Sequence, residues 1–357
     1  MKLNNNNMFA TTFNGGFLDE RFAARAVRIP VPERLDILPT PALSLRNQFI
    51  LMVRVLVYGL KYRVLLLFSS RGRLKPEVLA CALLGLLPRW LRPVIVLYGE
   101  MWEPNQGGRH RLEKWIVNLA DRAIQRYFVF SSFEVENFPG LWGVAAEKMR
   151  LGLFYTLNAR AGVEITPTAR REFIFAGGNS FRDYDTMVEA ARRMPEYEFV
   201  IGSHRLAGRT DLPPNLRAEQ FPPDEFQHLI DTAAVVVVPL RQSIQRTAGQ
   251  LTYLEAMWRK KPVIVSNAPG ARDYIEHKKS GFIVDNDDVH SYLDAIGWML
   301  NPANQAQVDQ MCEMAHRAIK EHFNFQRYIG ELLAVMDEAF EISSQIHGFP
   351  AKSLGTD

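Results

Sequence analysis

Cysteine is nearly absent: Cys81 and Cys312 are the only two in 357 residues. They stand far apart in helix-like apolar surroundings, which excludes a disulfide framework or a cysteine metal site and fits a reducing compartment. No stretch reaches about 18 residues without a charge, so no membrane-spanning helix is expected. The opening MKLNNNNMFATTFNGG lacks the uninterrupted apolar core of a secretion signal, and a cytoplasmic location follows. Zinc-finger spacings, aromatic RNA-binding motifs and a basic zipper are missing too, which argues against nucleic acid as a partner. There is no short-period repeat, and no low-complexity tract beyond Asn4 to Asn7.

What is present describes a soluble globular protein: 47% hydrophobic, 23% charged and 11% aromatic residues. The length suits two domains, each able to bury its own core. The net charge of +3 hides an asymmetry. Before position 161 there are roughly 22 Lys and Arg against 12 Asp and Glu, and after it roughly 20 against 27. A surplus of that kind suits phosphate-bearing substrates or peripheral contact with an anionic membrane, at the inner face for a cytoplasmic chain.

Apolar runs too continuous for one-sided strands recur between helical patterns. In the first half they are YRVLLLFSS (62–70), PVIVLYGE (93–100) and YFVFSS (127–132), with helices expected near 75–87 and 110–125. The second half repeats the rhythm with EFIFAGG (172–178), YEFVIGS (197–203), AAVVVVPL (233–240) and KPVIVSNA (261–268). Alternation of this kind predicts parallel sheets covered on both faces, and hence two Rossmann-like α/β domains. The polar stretch NARAGVEITPTARRE (158–172) reads as the linker between them, with the boundary near 160–170. Domains are expected over 1–163 and 164–323, with a helix over 324–343 crossing back to the first domain and a loosely ordered tail from Ser343.

Ligand loops belong at the C-terminal ends of such strands. After Phe175 the chain reads Ala176-Gly177-Gly178-Asn179-Ser180-Phe181-Arg182-Asp183, then a helical pattern. Two glycines allow close backbone approach, the helix start offers unpaired N–H groups and Arg182 adds a fixed charge: together, a diphosphate cradle. The alternative is a tight turn whose arginine faces solvent. Gly249 precedes a second helix, Leu251 to Trp258, whose first amides also suit an anion. Glu255, one turn in, offers a carboxylate to vicinal ribose hydroxyls; the alternative is a surface glutamate near Lys260 and Lys261.

The segment from Pro239 to Val284 resembles retaining glycosyltransferases of family 4, the glycosyl transferases group 1, with the GT-B fold. Leu254-Glu255-Ala256-Met257, Lys261-Pro262-Val263-Ile264-Val265, Gly270-Ala271-Arg272-Asp273-Tyr274 and Ser280-Gly281-Phe282-Ile283-Val284 match that family's pattern in order and spacing. The resemblance implies two Rossmann-like domains facing each other across a cleft, and transfer of a sugar from a nucleoside diphosphate sugar to a glycan, lipid-linked glycan or small hydroxylated metabolite. It implies retention of configuration and no cofactor or metal.

By the same resemblance Glu255 takes the ribose and Arg182 the phosphates, while the amides of Gln250 and Leu251 face the diphosphate. Where the family has its first glutamate this chain has Thr247, and the loop reads Thr-Ala-Gly-Gln instead of Glu-Gly-Phe-Gly. Thr247 and Gln250 are therefore assigned to the sugar. Gly178 stands where many members carry a further arginine, a charge that Arg246 supplies from the other loop. Gly177, Gly178, Gly249 and Ser203, which ends the strand 197–203, complete the donor set. In the first domain Gly15 and Gly16 resemble the family's N-terminal glycine loop, and Glu100 is a candidate for a sugar or acceptor hydroxyl. His110 in NQGGRH (105–110) reads as a surface residue starting a helix, and Ser131 as a helix cap with Glu134 behind it. Asp285-Asn286-Asp287 is read as a solvated turn away from the phosphate loops, with no metal.

Two segments, LRNQFILMVRVLVYGLKYR (45–63) and LKPEVLACALLGLLPRWLRP (74–93), combine apolar runs with basic residues. Helices packed on the first sheet are the preferred reading, membrane-surface helices the alternative. Two rival functions use the same donor features: a sugar-nucleotide epimerase, and a non-catalytic sugar-nucleotide-binding subunit of a glycan assembly complex.

Overall fold

The computed structural model describes residues 8–32, 45–72, 74–105, 107–156 and 173–348. The Asn4 to Asn7 tract, the linker 158–172 and Gln106 lie outside them. The chain divides into two compact units, Met1–Gly152 with Ile329–Asp357, and Leu153–Tyr328.

In the first unit, strands β1 (Phe9–Thr11), β2 (Ala26–Arg28), β3 (Val64–Phe68), β4 (Val94–Tyr98), β5 (Ile124–Val129) and β6 (Met149–Leu151) form one sheet in the order β2-β1-β3-β4-β5-β6. Every pairing is parallel. Helices α1 (Glu20–Ala23), α2 (Leu45–Lys61), α3 (Pro76–Gly85), α4 (Gly108–Asp121) and α5 (Ser132–Trp142) make the crossovers. Alternate strand residues point to opposite faces. Leu65, Leu67, Ile95, Leu97, Tyr127 and Val129 therefore pack in one core with Leu51 and Val55 of α2, Val78 of α3, Val117 of α4 and Trp142 of α5. The expected helix at 110–125 ends earlier, because Ile124 already enters β5.

The second unit repeats the arrangement with β7 (Phe173–Gly177), β8 (Glu198–Gly202), β9 (Leu216–Glu219), β10 (Val235–Val238), β11 (Val263–Ser266) and β12 (Phe282–Val284), ordered β12-β11-β10-β7-β8-β9. All neighbours are again parallel. Its helices are α6 (Tyr184–Arg193), α7 (Pro223–Thr232), α8 (Gln250–Trp258), α9 (Ala271–Tyr274), α10 (Val289–Leu300) and α11 (Gln305–His322). Phe175, Val236, Val238 and Val265 pack against α8, while Ile174, Val235, Val237 and Ile264 pack against α6 and α10. Burial on both faces is why these strands read as unbroken apolar runs.

The last helix, α12 (Phe325–His347), belongs to the first unit from Ile329 on. Asp337 pairs with Arg25 at 2.5 Å, and Glu338 accepts from Arg126 at 2.6 Å and from Arg150 at 2.7 Å. The expectation of a loose tail from Ser343 is corrected: helix continues to His347 and Ser343 is buried. Helix α2 packs on the sheet, as preferred from its sequence, burying Leu51, Val55 and Gly59, while Leu45, Phe49, Val53, Val57 and Leu60 stay exposed.

Candidate functional site

In the second sheet β7 is followed by β8 on one side, and β10 then pairs on the other, so the strand order reverses between β7 and β10. Ligands of open α/β sheets bind outside the strand ends at such a reversal. The loops that leave β7 and β10 are laced together there. Arg182 and Leu240 form an antiparallel bridge, Asp183 N donates to Pro239 O at 3.0 Å, and Arg241 N donates to Phe181 O at 3.0 Å.

Arg182 is only 4% exposed. Its guanidinium donates through Nε to Gly177 O at 2.9 Å, through Nη1 to Ser180 O at 2.8 Å and through Nη2 to Thr252 Oγ1 at 3.2 Å. The alternative of a solvent-facing arginine is therefore overturned. Three fixed acceptors hold the charge beside the start of α8. Gly178 has φ +106°, and a Cβ there would meet Arg182 Nη2 at 2.7 Å. Phe181 is held at φ +54°, a left-handed conformation costly for an aromatic residue, and Arg246 lies over its ring at 4.8 Å.

Gly249 caps α8 at φ +86°, and a Cβ there would lie 2.8 Å from Val238 Cγ1, so only glycine fits. The first intrahelical bond of this helix runs from Thr252 N to Gly249 O, which leaves the amides of Gln250 and Leu251 ahead of it as the helix's positive end. Gln250 and Thr247 are both buried, and Gln250 Nε2 donates to Thr247 Oγ1. Ser203 directly follows β8, donating to Asn179 Oδ1 at 2.6 Å and accepting from Arg205 N at 3.2 Å.

Glu255 is 5% exposed, with Oε2 at 3.6 Å from Arg259 Nη1. The alternative of a surface glutamate near Lys260 and Lys261 does not hold: Lys260 pairs with Glu313 at 2.6 Å, and Lys261 is itself buried. Thr252 and Glu255 stand three residues apart and share one side of α8. The carboxylate is thus one turn along from the hydroxyl that holds Arg182.

Residues 171–302 match the family model described as Glycosyl transferases group 1. That stretch lies within the second unit and is similar to the group 1 glycosyl transferases. No curated protein matches the chain in sequence. Among solved structures, a glycosyltransferase from Rickettsia africae ESF-5 is 12% identical with a TM-score of 0.65, over 94% of this chain and 99% of that one. Anabaena Alr3699/HepE in complex with UDP is 14% identical with a TM-score of 0.65, over 95% and 100%. Sucrose-phosphate synthase (tll1590) from Thermosynechococcus elongatus is 16% identical with a TM-score of 0.61, over 89% and 84%. The fold is that of the GT-B glycosyltransferases.

Around these loops the structure adds residues that the sequence reading did not single out. Arg205 Nε donates to Asn179 O, and Arg241 Nε to Arg182 O at 3.3 Å, so four arginines (182, 205, 241 and 246) surround the β7 loop. The signal available for Arg205 was its place two residues beyond a strand-ending serine. The Asp285–Asp287 turn, expected to lie away from the loops, instead touches the one that follows β10. Asn286 Nδ2 donates to Leu240 O at 2.9 Å, and burial and then Asp183 push the Asp287 carboxyl up. Chain order concealed this, because β12 reaches the loop across β11 and β10. Among the described residues no group of three or more His, Cys, Asp or Glu is placed to hold a metal ion. A cavity of about 760 Å³ lies along the sheet's edge by Phe282, Val284 and Trp298, and none of the residues expected to take the donor lines it.

The remaining candidates belong to the first unit. Its sheet reverses between β1 and β3. Gly15 and Gly16 lie in a 3-10 turn (Asn14–Leu18) just after β1, and a Cβ on Gly16 would meet Phe22 at 2.5 Å. Close packing already demands that glycine. Arg71 and Glu77, also passed over in the sequence, stand at the same reversal. Their side chains are buried and 3.3 Å apart, and Arg71 Nη2 donates to Thr12 O at 3.1 Å, fixing the residue that leads into the glycine turn. Burial pushes the Glu77 carboxyl up, against the pull of Arg71. Glu100 follows β4 half-buried, and its carbonyl accepts from Ser69 Oγ at 2.5 Å. His110 lies in the first turn of α4, half-buried with its ring 5.1 Å from that of Trp142. Ser131 caps α5, accepting from Glu134 N at 3.2 Å.

Proposed function

We propose that the chain transfers a sugar from a nucleoside diphosphate sugar to a hydroxyl of a glycan, a lipid-linked glycan or a small metabolite, with retention of configuration. The observation that carries this reading is the switch-point constellation: Arg182 locked beside the start of α8, with Glu255 one turn along the same helix. The Anabaena HepE structures hold UDP, UDP with glucose, and UDP-glucose, which supports a uridine donor for this chain as well.

In this reading Glu255 accepts from the ribose hydroxyls, while Arg182, Arg246 and the amides of Gln250 and Leu251 take the diphosphate. Charge grows on the diphosphate as the glycosidic bond breaks. Donors already fixed in place stabilise it without reorganising, each contributing on the order of 100-fold in rate. The acceptor hydroxyl attacks from the leaving-group face, and a departing phosphate oxygen takes its proton, so no protein base and no metal ion are required. Thr247 and Gln250 address the sugar with neutral hydrogen-bonding groups where a carboxylate is usual. Glu100 keeps its assignment to a sugar or acceptor hydroxyl, and Gly15 and Gly16 theirs as the N-terminal glycine loop. The basic first unit also makes peripheral contact with anionic lipid.

A thermal-shift screen of UDP-, GDP-, ADP- and TDP-sugars tests the reading, since a ligand that binds only the folded chain raises its melting temperature. A shift with one donor, lost in Arg182→Ala and Glu255→Ala, supports it. No shift with any of them overturns it. Product release that depends on an added acceptor separates transfer from epimerisation, and donor turnover by the isolated chain excludes a non-catalytic subunit.

A further inference from the structure

The N-terminal edge of the first sheet carries a cluster of cations that the donor reading does not use. Arg92 stands just before β4, Arg122 just before β5, and Arg89 in the turn after α3. They gather at the end of this sheet opposite Glu100 and the glycine turn. With Gln125 of β5 and Ile342 and Gln345 of α12 they line a cavity of about 230 Å³, roughly eight water volumes.

Arg92 is held in place, donating through Nη1 to Arg122 O at 2.9 Å and through Nη2 to Leu87 O at 2.8 Å. Its Nε is buried and has no hydrogen-bond partner among the described residues. Burial, then Arg122 and Arg89, pull the Arg92 guanidinium below its ordinary value, and no carboxylate counters them. Three like charges around a cavity, with a buried N–H left over, form a site that an anion completes.

The surroundings indicate which anion. Trp90 is 67% exposed and Leu86 59%, in the same turn as Arg89 and Arg92. A free phosphate has no use for a solvent-exposed indole beside its arginines, whereas a membrane interface accepts both the ring and the cations. Between Leu45 and Gly99 the only acidic residue is Glu77, which is fully buried, so this stretch presents no carboxylate that would repel an anionic surface.

We propose that Arg89, Arg92 and Arg122 hold the phosphate of an anionic phospholipid headgroup, with Trp90 and Leu91 seated at the membrane surface. This rests on the peripheral contact proposed above and is independent of the donor site.

Co-sedimentation of the full chain with phosphatidylcholine vesicles, with and without phosphatidylglycerol, tests it. The wild type binds only the vesicles containing phosphatidylglycerol. Arg89→Gln/Arg122→Gln weakens binding about 25-fold, from about fivefold per cation removed from an anionic surface, and Trp90→Ala weakens it as well. Arg89 and Arg122 contribute no side-chain hydrogen bond among the described residues, so the melting temperature stays unchanged. Arg109→Gln/Arg111→Gln, charge-matched at the other end of α4, keeps wild-type binding.

If the two double variants lose binding equally, the contact is diffuse and the cavity assignment is wrong, though the membrane reading stands. If the wild type ignores phosphatidylglycerol vesicles, both fall, and UDP-sugar binding is unaffected. If inorganic phosphate alone raises the melting temperature through Arg89 and Arg122 while vesicles do not bind, the lipid source is overturned.

Discussion

Arg182 and Thr252 are seventy residues apart in sequence, yet the Nη2 of one lies 3.2 Å from the Oγ1 of the other. That contact fastens the loop after β7 to the first turn of α8. It fixes a cation where the helix already presents free amides.

Replacement of Arg182 should therefore damage two things. Arg182→Ala strands the carbonyls of Gly177 and Ser180, which costs about 1–3 kcal/mol of stability. It also removes the charged donor proposed for the phosphates and should lower UDP affinity about 10- to 100-fold. Arg182→Lys restores the charge but cannot span three acceptors. Calorimetric titration should find it between wild type and alanine.

Gly249→Ala forces a Cβ onto Val238 at φ +86°. The expected cost is upward of about 1 kcal/mol, with a displaced helix start. Donor affinity should fall in parallel with the melting temperature, whereas Gly107→Ala, where a Cβ meets nothing within 4 Å, should cost only its own positive-φ strain and leave donor affinity intact.

Thr247 and Gln250 are bonded to each other in the loop assigned to the sugar. Thr247→Val keeps the shape and removes the hydroxyl. Affinity for UDP should stay within about twofold, while kcat with the sugar donor drops about tenfold, the effect of one neutral hydrogen bond. Equal loss of UDP binding would remove the pair from the sugar.

Glu338 joins α12 to β5 and β6. Hydrogen bonds from Arg150 first, and from Arg126, hold its carboxyl below the usual range. A depressed folded-state value means that the stabilisation is present above the unfolded-state value and is lost as pH falls through the folded one. Glu338→Gln should lower stability by about 1 kcal/mol at neutral pH, and the gap to wild type should close in acid.

The strands that could be read from sequence are those buried on both faces: VLLLF, VIVLY and VVVV leave no polar interruption. The short strands were not legible. Ala26–Arg28, Met149–Leu151 and Leu216–Glu219 are edge strands of three or four residues that mix buried with exposed positions, like any loop. At the candidate site the glycines and Arg182 stood out because turn chemistry and charge are local. Thr252, Arg205 and the Asn286 turn did not, because their relation to Arg182 follows from strand order, which no short window of sequence contains. The buried pair Arg71 and Glu77 was hidden for the same reason, since only folding brings both to the end of β1.

The most direct test of the account is calorimetric titration of UDP-glucose and 2′-deoxy-UDP-glucose into wild type and Glu255→Gln. The account predicts that the wild type binds UDP-glucose about tenfold or more tightly than the deoxy donor, a charge-assisted hydrogen bond's worth, and that Glu255→Gln erases most of that preference while keeping its fold. Equal binding of both donors by the wild type, or a preference that survives in Glu255→Gln, would contradict it.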